Sequence, residues 1–497
     1  MQRPVIYSGP ALVQQIRLPE AWQRVGNEPA VLSSEGSWSY SDLGKCRDSL
    51  VSALMGDRSD LHEERIAVLV RPGPYWVAAM QAIWLSGGIA VPLALMYPEA
   101  ELRYILQDIN CKLVLVDGLR GNLGKLPEEL GLELLNVEKQ PEPADQPVLP
   151  QIEADRRALI IYTSGSTGKP KGVVSHHGQL AAQLSSLHQA WEWSGDDRIL
   201  CVLPLHHVHG VNNVVGCALS IGAQVDFLPR FDAASVWAAF LKEEYSLFMA
   251  VPTIYHRLIT HWESGSEEEQ KAWSKAVASM RLIVSGSAAL PVSVLEKWKA
   301  ISGQTLLERY GMTEIGMALS NSYNGDRFPG KVGRPLPGME CRVVADSLQV
   351  RGPLVFREYW GRPEATAEAF DEGWFKTGDA VAVDDEGVFR IVGRESVDII
   401  KFGGYKVSAG EIEELFRRHE SITDCAVIGI PDEEMGQRIG MAVVATEELI
   451  LDQLCDWARL ELAPYKLPTA LRQMEDLPRN AMGKVVKPRL IELFQQA

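Results

Sequence analysis

The chain has 497 residues, 46% of them hydrophobic and 23% charged, and a formal net charge of −16 at pH 7. That length calls for more than one hydrophobic core, and the composition is that of a globular protein. The acidity argues against nucleic-acid or anionic-membrane binding driven by overall charge, so an anionic ligand has to be held by local lysines and arginines.

The first ten residues, MQRPVIYSGP, lack the apolar run of a secretory signal. Residues 66–97 are the most apolar stretch, but Pro72, Gly73, Pro74, Gly87, Gly88 and Pro92 interrupt it too often for a bilayer span. It reads as a strand at 66–70, a helix at 75–86 and a second strand at 89–92. A helix from Pro98 to about Asp108 and a strand at 113–116 follow. Strand-like runs return at 158–162, 198–202, 224–228, 247–251 and 282–284. Strands alternating with helices of ten or more residues predict crossover units in a mainly parallel sheet covered on both faces. Residues 139–155, rich in Pro, Glu, Asp and Gln, read as a surface connection. Beyond about Glu340 the strands shorten (341–344, 348–350, 387–392). A compact α+β module then follows, with segments at 411–418, 425–430 and 449–461. Seven cysteines, at 46, 111, 201, 217, 341, 425 and 455, show no CxxC spacing, which predicts reduced thiols, a cytoplasmic setting and no metal cluster.

The motifs that carry chemistry are spread along this frame. The run YTSGSTGKPKG fills residues 162–172. Gly165, Gly168 and Gly172 permit a tight turn whose N–H groups approach an anion. Thr163, Ser164, Ser166 and Thr167 add donors, and Lys169 and Lys171 add charge, so the expected guest is a phosphate chain. The spacing rejects a kinase-like G-x-x-x-x-G-K-[ST] loop: only two residues separate Gly165 from Gly168, and Pro170 follows the lysine. Ser285-Gly286-Ser287-Ala288 follows a strand and could offer backbone to a flat ring. Glu308-Arg309-Tyr310-Gly311-Met312-Thr313-Glu314 supplies a carboxylate of the kind that a hard divalent cation wants. Thr377-Gly378-Asp379, Gly393-Arg394, Lys401 with Gly403-Gly404-Tyr405-Lys406, and Asn480-Ala481-Met482-Gly483-Lys484 complete the set. His206-His207-Val208-His209 looks like a metal cluster, but adjacent histidines on a strand point to opposite faces and no Cys or Glu completes a shell.

In this order the motifs resemble those of the adenylate-forming superfamily of acyl-CoA synthetases, luciferases and peptide-synthetase adenylation domains, over nearly the whole chain. The resemblance implies a large α/β N-terminal domain (1–393) with doubly covered mixed or parallel sheets. A hinge (394–398) joins it to a small mobile α+β domain (399–497) that rotates between two half-reactions. It implies ATP, Mg²⁺ and coenzyme A as the ligands, with the 163–169 loop and Lys171 on the phosphates. Glu314 and Thr167 would hold the metal, and Thr313 would sit near the α-phosphate. Tyr310 would lie against adenine, within the shell formed by Ser285 to Ala288 and by Glu308, Arg309, Gly311 and Met312. Asp379 and Arg394 would hold the ribose, and Lys484 would bridge the acid and ATP. His207 would line and gate the acyl pocket, and Lys401 with residues 403–406 would face coenzyme A. The catalytic set is then Lys484, Thr167, Glu314 and His207.

ERYGMTE, LPLHHVHG and SVDIIKFGGYKVSA together resemble the malonyl-CoA and methylmalonyl-CoA synthetase branch. A buried guanidinium at Arg309 is costly without a partner, and a second substrate carboxylate would be that partner. The alternative is an ion pair between Arg309 and a protein acid such as Glu308, with a medium-chain monocarboxylate as substrate. An inactive binding or regulatory homologue is a further alternative, although every charged residue of the motifs is present. A monomer or homodimer with small-molecule partners is expected.

Overall fold

The computed structural model describes residues 4–496 apart from 14–15, 119–120, 142–146, 164–169, 229, 243–244, 395–396, 403–404, 433–434, 460 and 481–482. A nine-stranded sheet has a parallel centre in the order Leu307–Met312, Leu282–Ser285, Leu247–Ala250, Arg198–Cys201, Gln224–Phe227 and Pro29–Ser33. Antiparallel partners close its two edges, Gly316–Ser320 with Arg334–Pro335 on one side and Gly36–Ser39 on the other. A seven-stranded sheet is built likewise. Arg157–Thr163, Ile89–Pro92, Arg65–Leu69, Leu113–Val116 and Glu133–Asn136 run parallel, and Lys171–His176 and Glu358–Tyr359 are added antiparallel.

The expectation of mainly parallel sheets therefore holds for these two. A third, six-stranded sheet is antiparallel: Ile6–Ser8, Glu340–Val344, Ser347–Arg351, Trp374–Val383, Phe370–Asp371 and Phe389–Arg394. Its first strand comes from the other end of the large domain, a pairing across more than three hundred residues that local periodicity cannot reveal.

Helix Pro74–Leu85 shows why the apolar stretch is core. Pro74 occupies the first turn, where a missing N–H costs nothing, and every residue except Tyr75 is buried. A helix apolar all round belongs inside a large domain. No helix among the described residues is long and apolar enough to cross a membrane. Elsewhere in the core Trp237 stacks with Trp273 and Trp298 at 5.5 and 6.1 Å. All seven cysteines are free.

The small C-terminal domain has a five-stranded sheet made of Tyr405–Ser408, Ile399–Phe402, Gly436–Ala445, Ile422–Asp432 and Ala470–Gln473. Its helices are Ala409–Phe416, Leu451–Ala458 and Lys487–Gln495. It has cores of its own, drawn from residues 400–494.

Topology already collects the motifs. The carboxyl ends of parallel strands are where ligands of open α/β sheets bind. Residues 202–210 follow Arg198–Cys201, Val251 to Thr253 follow Leu247–Ala250, residues 286–288 follow Leu282–Ser285, and Arg309 to Met312 end their own strand.

Candidate active site

Neighbouring residues on a strand point to opposite faces, and Glu308 and Arg309 do so. The Glu308 carboxylate accepts the Gly330 N–H at 2.9 Å, and burial pushes its pKa up to about 8. Arg309 turns the other way, is 3% exposed, and donates from Nη2 to Ser287 Oγ at 3.3 Å. Its Nε and Nη1 are buried and have no partner among the described residues. Burial pushes its pKa down to about 9. The anticipated alternative of a Glu308–Arg309 pair is thus absent.

Gly286 makes this packing possible, since a Cβ there would lie 2.5 Å from the guanidinium carbon. Ser287 has φ +69, a left-handed conformation that costs a non-glycine residue on the order of 1–3 kcal/mol and clusters at ligand sites. The conformation sets its hydroxyl between Arg309 and His209, whose Nδ1 lies 3.2 Å from Ser287 Oγ. His209 Nε2 is also buried without a partner, and burial, then the Arg309 charge, hold its pKa well below the usual value. The pocket therefore concentrates unused hydrogen-bonding groups around one buried cation.

One residue further along, Tyr310 donates its hydroxyl to Asp379 Oδ2. Asp379 Oδ1 lies 3.0 Å from Arg394 Nε, and Arg394 Nη1 donates to the Thr377 carbonyl at 2.7 Å. Asp379 and Arg394 face each other across antiparallel strands, so the sheet register sets this pair. Burial raises the Asp379 pKa, with Arg394 opposing.

Glu314 is buried and accepts the Tyr359 hydroxyl at 3.0 Å; burial raises its pKa. Lys171, paired in register with Thr163, places its ammonium 5.2 Å from the Tyr359 ring. Among the described residues no group of three His, Cys, Asp or Glu could hold a metal. A divalent cation here would be bound by the Glu314 carboxylate together with phosphate oxygens and water, which suits the oxygen preference and retained hydration of Mg²⁺.

Lys484 reaches this region from the small domain. Its side chain keeps solvent exposure, yet the protein around the ammonium desolvates it and lowers its pKa, Arg394 and Arg309 lower it further, and Asp379 and Asp398 oppose. The preceding Gly483 has φ +76 and lies against Thr253 of the large domain. The histidine run is not a strand. His209–Gly216 is a π-helix entered from a turn, and the His206 and His207 rings share a side at 4.1 Å. Burial, with His206 and Lys484 adding, pushes the His207 pKa down to about 3, so its ring is neutral at physiological pH.

Ser285 keeps a buried hydroxyl without a partner. Gly311 packs so closely on the Gly316 carbonyl that no side chain would fit. Thr313 and Met312 are half-buried. Lys401 and Tyr405 are engaged within the small domain: the Lys401 N–H donates to Gln437 Oε1 at 2.7 Å, and exposed Tyr405 stacks on Tyr465 at 4.4 Å. Ser164, Gly165, Ser166, Thr167, Gly168, Lys169, Gly403, Gly404 and residues 395–396 of the expected hinge lie outside the described residues, as does the side chain of Lys406. His209 and Tyr359 were not singled out from the sequence. His209 had a signal in the HHVHG run, whereas Tyr359 had none, because it arrives from an edge strand of the other large sheet.

The AMP-binding enzyme family matches residues 18–360, and its C-terminal domain matches residues 411–484. The chain is 44% identical to the malonate–CoA ligase ACSF3, mitochondrial, of Bos taurus, over 94% of this chain and 88% of that protein. It superposes on ATP-bound MatB from Rhodopseudomonas palustris with TM-score 0.87, at 30% identity, covering 96% of this chain and 98% of that one. A malonyl-CoA ligase solved as a ternary product complex with methylmalonyl-CoA and AMP gives TM-score 0.67 at 37% identity, over 92% and 98% of the two chains.

Proposed function

Because this chain belongs to the AMP-binding enzyme family, we propose that it ligates malonate, and its methyl homologue, to coenzyme A through an acyl-adenylate, releasing pyrophosphate and then AMP. One observation carries the choice of acid: the buried Arg309 guanidinium has two nitrogens without partners, and Ser287 and His209 stand beside it. Leaving such a charge unpaired costs several kcal/mol, on the order of 3–5 when a partner is removed. A monocarboxylate tail would leave that cost in place, and the distal carboxylate of malonate removes it.

The first step is displacement at the α-phosphorus by a carboxylate oxygen, with pyrophosphate leaving. Protein groups contribute positioning and charge rather than covalent chemistry. Lys484 neutralises charge between acid and α-phosphate, Lys171 supports the phosphate chain, and Glu314 holds Mg²⁺, which when bound supplies charge neutralisation on the phosphates. Asp379 and Arg394 keep the ribose, with Tyr310 fixed by its hydrogen bond to Asp379. In the second step the coenzyme A thiol attacks the acyl carbon and AMP leaves, with neutral His207 lining the route. The seven unpaired thiols suit a reducing cytoplasm as well as the mitochondrial setting in the bovine relative's name.

The relative with methylmalonyl-CoA and AMP is nearer in sequence than ATP-bound MatB, yet superposes less well. We read the small domain as occupying the arrangement that makes the acyl-adenylate, since its Lys484 stands among Asp379, Arg394 and Arg309 of the large domain.

Acid-dependent release of pyrophosphate, with ATP and Mg²⁺ but no coenzyme A, tests the function. Malonate and methylmalonate are expected to support it, and silence with both would refute the reading. Asp379→Ala is expected to raise the KM for ATP and slow both half-reactions, because the ribose is held throughout. An unchanged ATP dependence would mean the ribose lies elsewhere. His209→Leu is expected to lower kcat/KM for malonate by about 10- to 150-fold, the loss of a hydrogen bond to a charged group. The KM for ATP should not move.

A further inference from the structure

Helix Val292–Ser302 starts without local help. Its N-cap is Pro291, which offers no side-chain acceptor, and no acidic residue lies in its first turn. The first N–H groups of a helix need acceptors, and its positive end favours a carboxylate. Here the carboxylate comes from the other domain: Glu414, on helix Ala409–Phe416, accepts the Val292 N–H with Oε1 at 3.2 Å across 122 residues of sequence. Arg417, the residue that caps the same helix, has its Nη1 3.8 Å from the other Glu414 oxygen. The contact also bears on the site, because the Glu414 charge is felt by Glu308, the strand neighbour of Arg309.

We propose that Glu414 is the latch that holds the small domain in the adenylating arrangement. This rests on the reading that the present arrangement is the one that makes the acyl-adenylate. Among the described residues the two domains touch at the Lys484 loop, where Gly483 meets Thr253, at Glu414, and beside the hinge, where Ser408 Oγ donates to the Val392 carbonyl at 2.7 Å. Three separated contacts fix an orientation that the hinge side alone would leave free to turn. Glu414 touches none of the reacting groups, so it acts by keeping Lys484 in place, and releasing it frees the domain for the second step.

The test separates the half-reactions in full-length enzyme. Glu414→Ala is expected to slow malonate-dependent pyrophosphate release by about two- to thirty-fold, the range corresponding to a lost helix cap. Thioester formation from supplied malonyl-AMP and coenzyme A should be unchanged or faster. Glu414→Gln, which keeps an acceptor, should recover part of the loss. A fall of both half-reactions together, or no change in either, overturns the latch. Wild-type enzyme that forms no acyl-adenylate would instead overturn the underlying reading, so the two failures are distinct.

Discussion

Arg309→Met is expected to abolish most malonate turnover while leaving ATP binding intact. The side chain is buried, and its only hydrogen bond among the described residues goes to Ser287. Its charge is therefore directed at something the described residues do not supply. Truncating one member of a buried, hydrogen-bonded charge pair costs about 2–5 kcal/mol. Methionine fills the volume without the charge, so the pocket should change from anion-seeking to apolar and gain weak activity on butyrate. That gain is the discriminating half. General damage around Tyr310 and Glu314 would lower every activity and raise the KM for ATP, whereas lost recognition leaves the nucleotide site untouched. Steady-state kinetics on malonate and butyrate, with ATP varied, give both readings.

Lys484→Ala is expected to remove adenylation and spare the second half-reaction. The lysine is brought to the site by the small domain, where desolvation by the surrounding protein, then Arg394 and Arg309, depress its pKa. Those positive neighbours are tolerable if phosphate and carboxylate charges arrive among them. A preorganised group of this kind typically contributes about 10²–10³ in rate. In the second step no charge builds between carboxylate and phosphate, so thioester formation from supplied malonyl-AMP should continue. Equal loss of both steps would mean that Lys484 serves the fold or both reactions, and that the two-arrangement account is wrong.

Much of the site was legible because its motifs follow strand ends, where the glycines and hydroxyls of an anion site stand out from alternating core. Arg309, Tyr310, Glu314, Asp379, Arg394 and Lys484 stand out through the resemblance of their motifs to those of the adenylate-forming superfamily. The remainder depended on facts that no local pattern encodes. Whether Arg309 pairs with Glu308 turns on the side each faces, and strand geometry settles it only once residues 307–312 are known to be a strand rather than a helix start. The metal reading of the histidine run was set aside on strand geometry, which does not apply there. The π-helix at His209–Gly216 puts His209 beside Ser287, and a π-helix has no short sequence signature. The antiparallel third sheet and the Tyr359–Glu314 hydrogen bond join segments that are distant in the chain. The Glu414–Val292 contact needs the domains to be docked before it exists.

Competition between acids in the wild-type enzyme bears most directly on the claim that a buried, unpaired guanidinium selects a dicarboxylate. With ATP, Mg²⁺ and coenzyme A saturating, kcat/KM for malonate is expected to exceed that for propionate or butyrate by about 10²-fold or more, the lower part of the range for a truncated charge pair. A preference for hexanoate or octanoate over malonate would contradict the account and make Arg309 a structural residue.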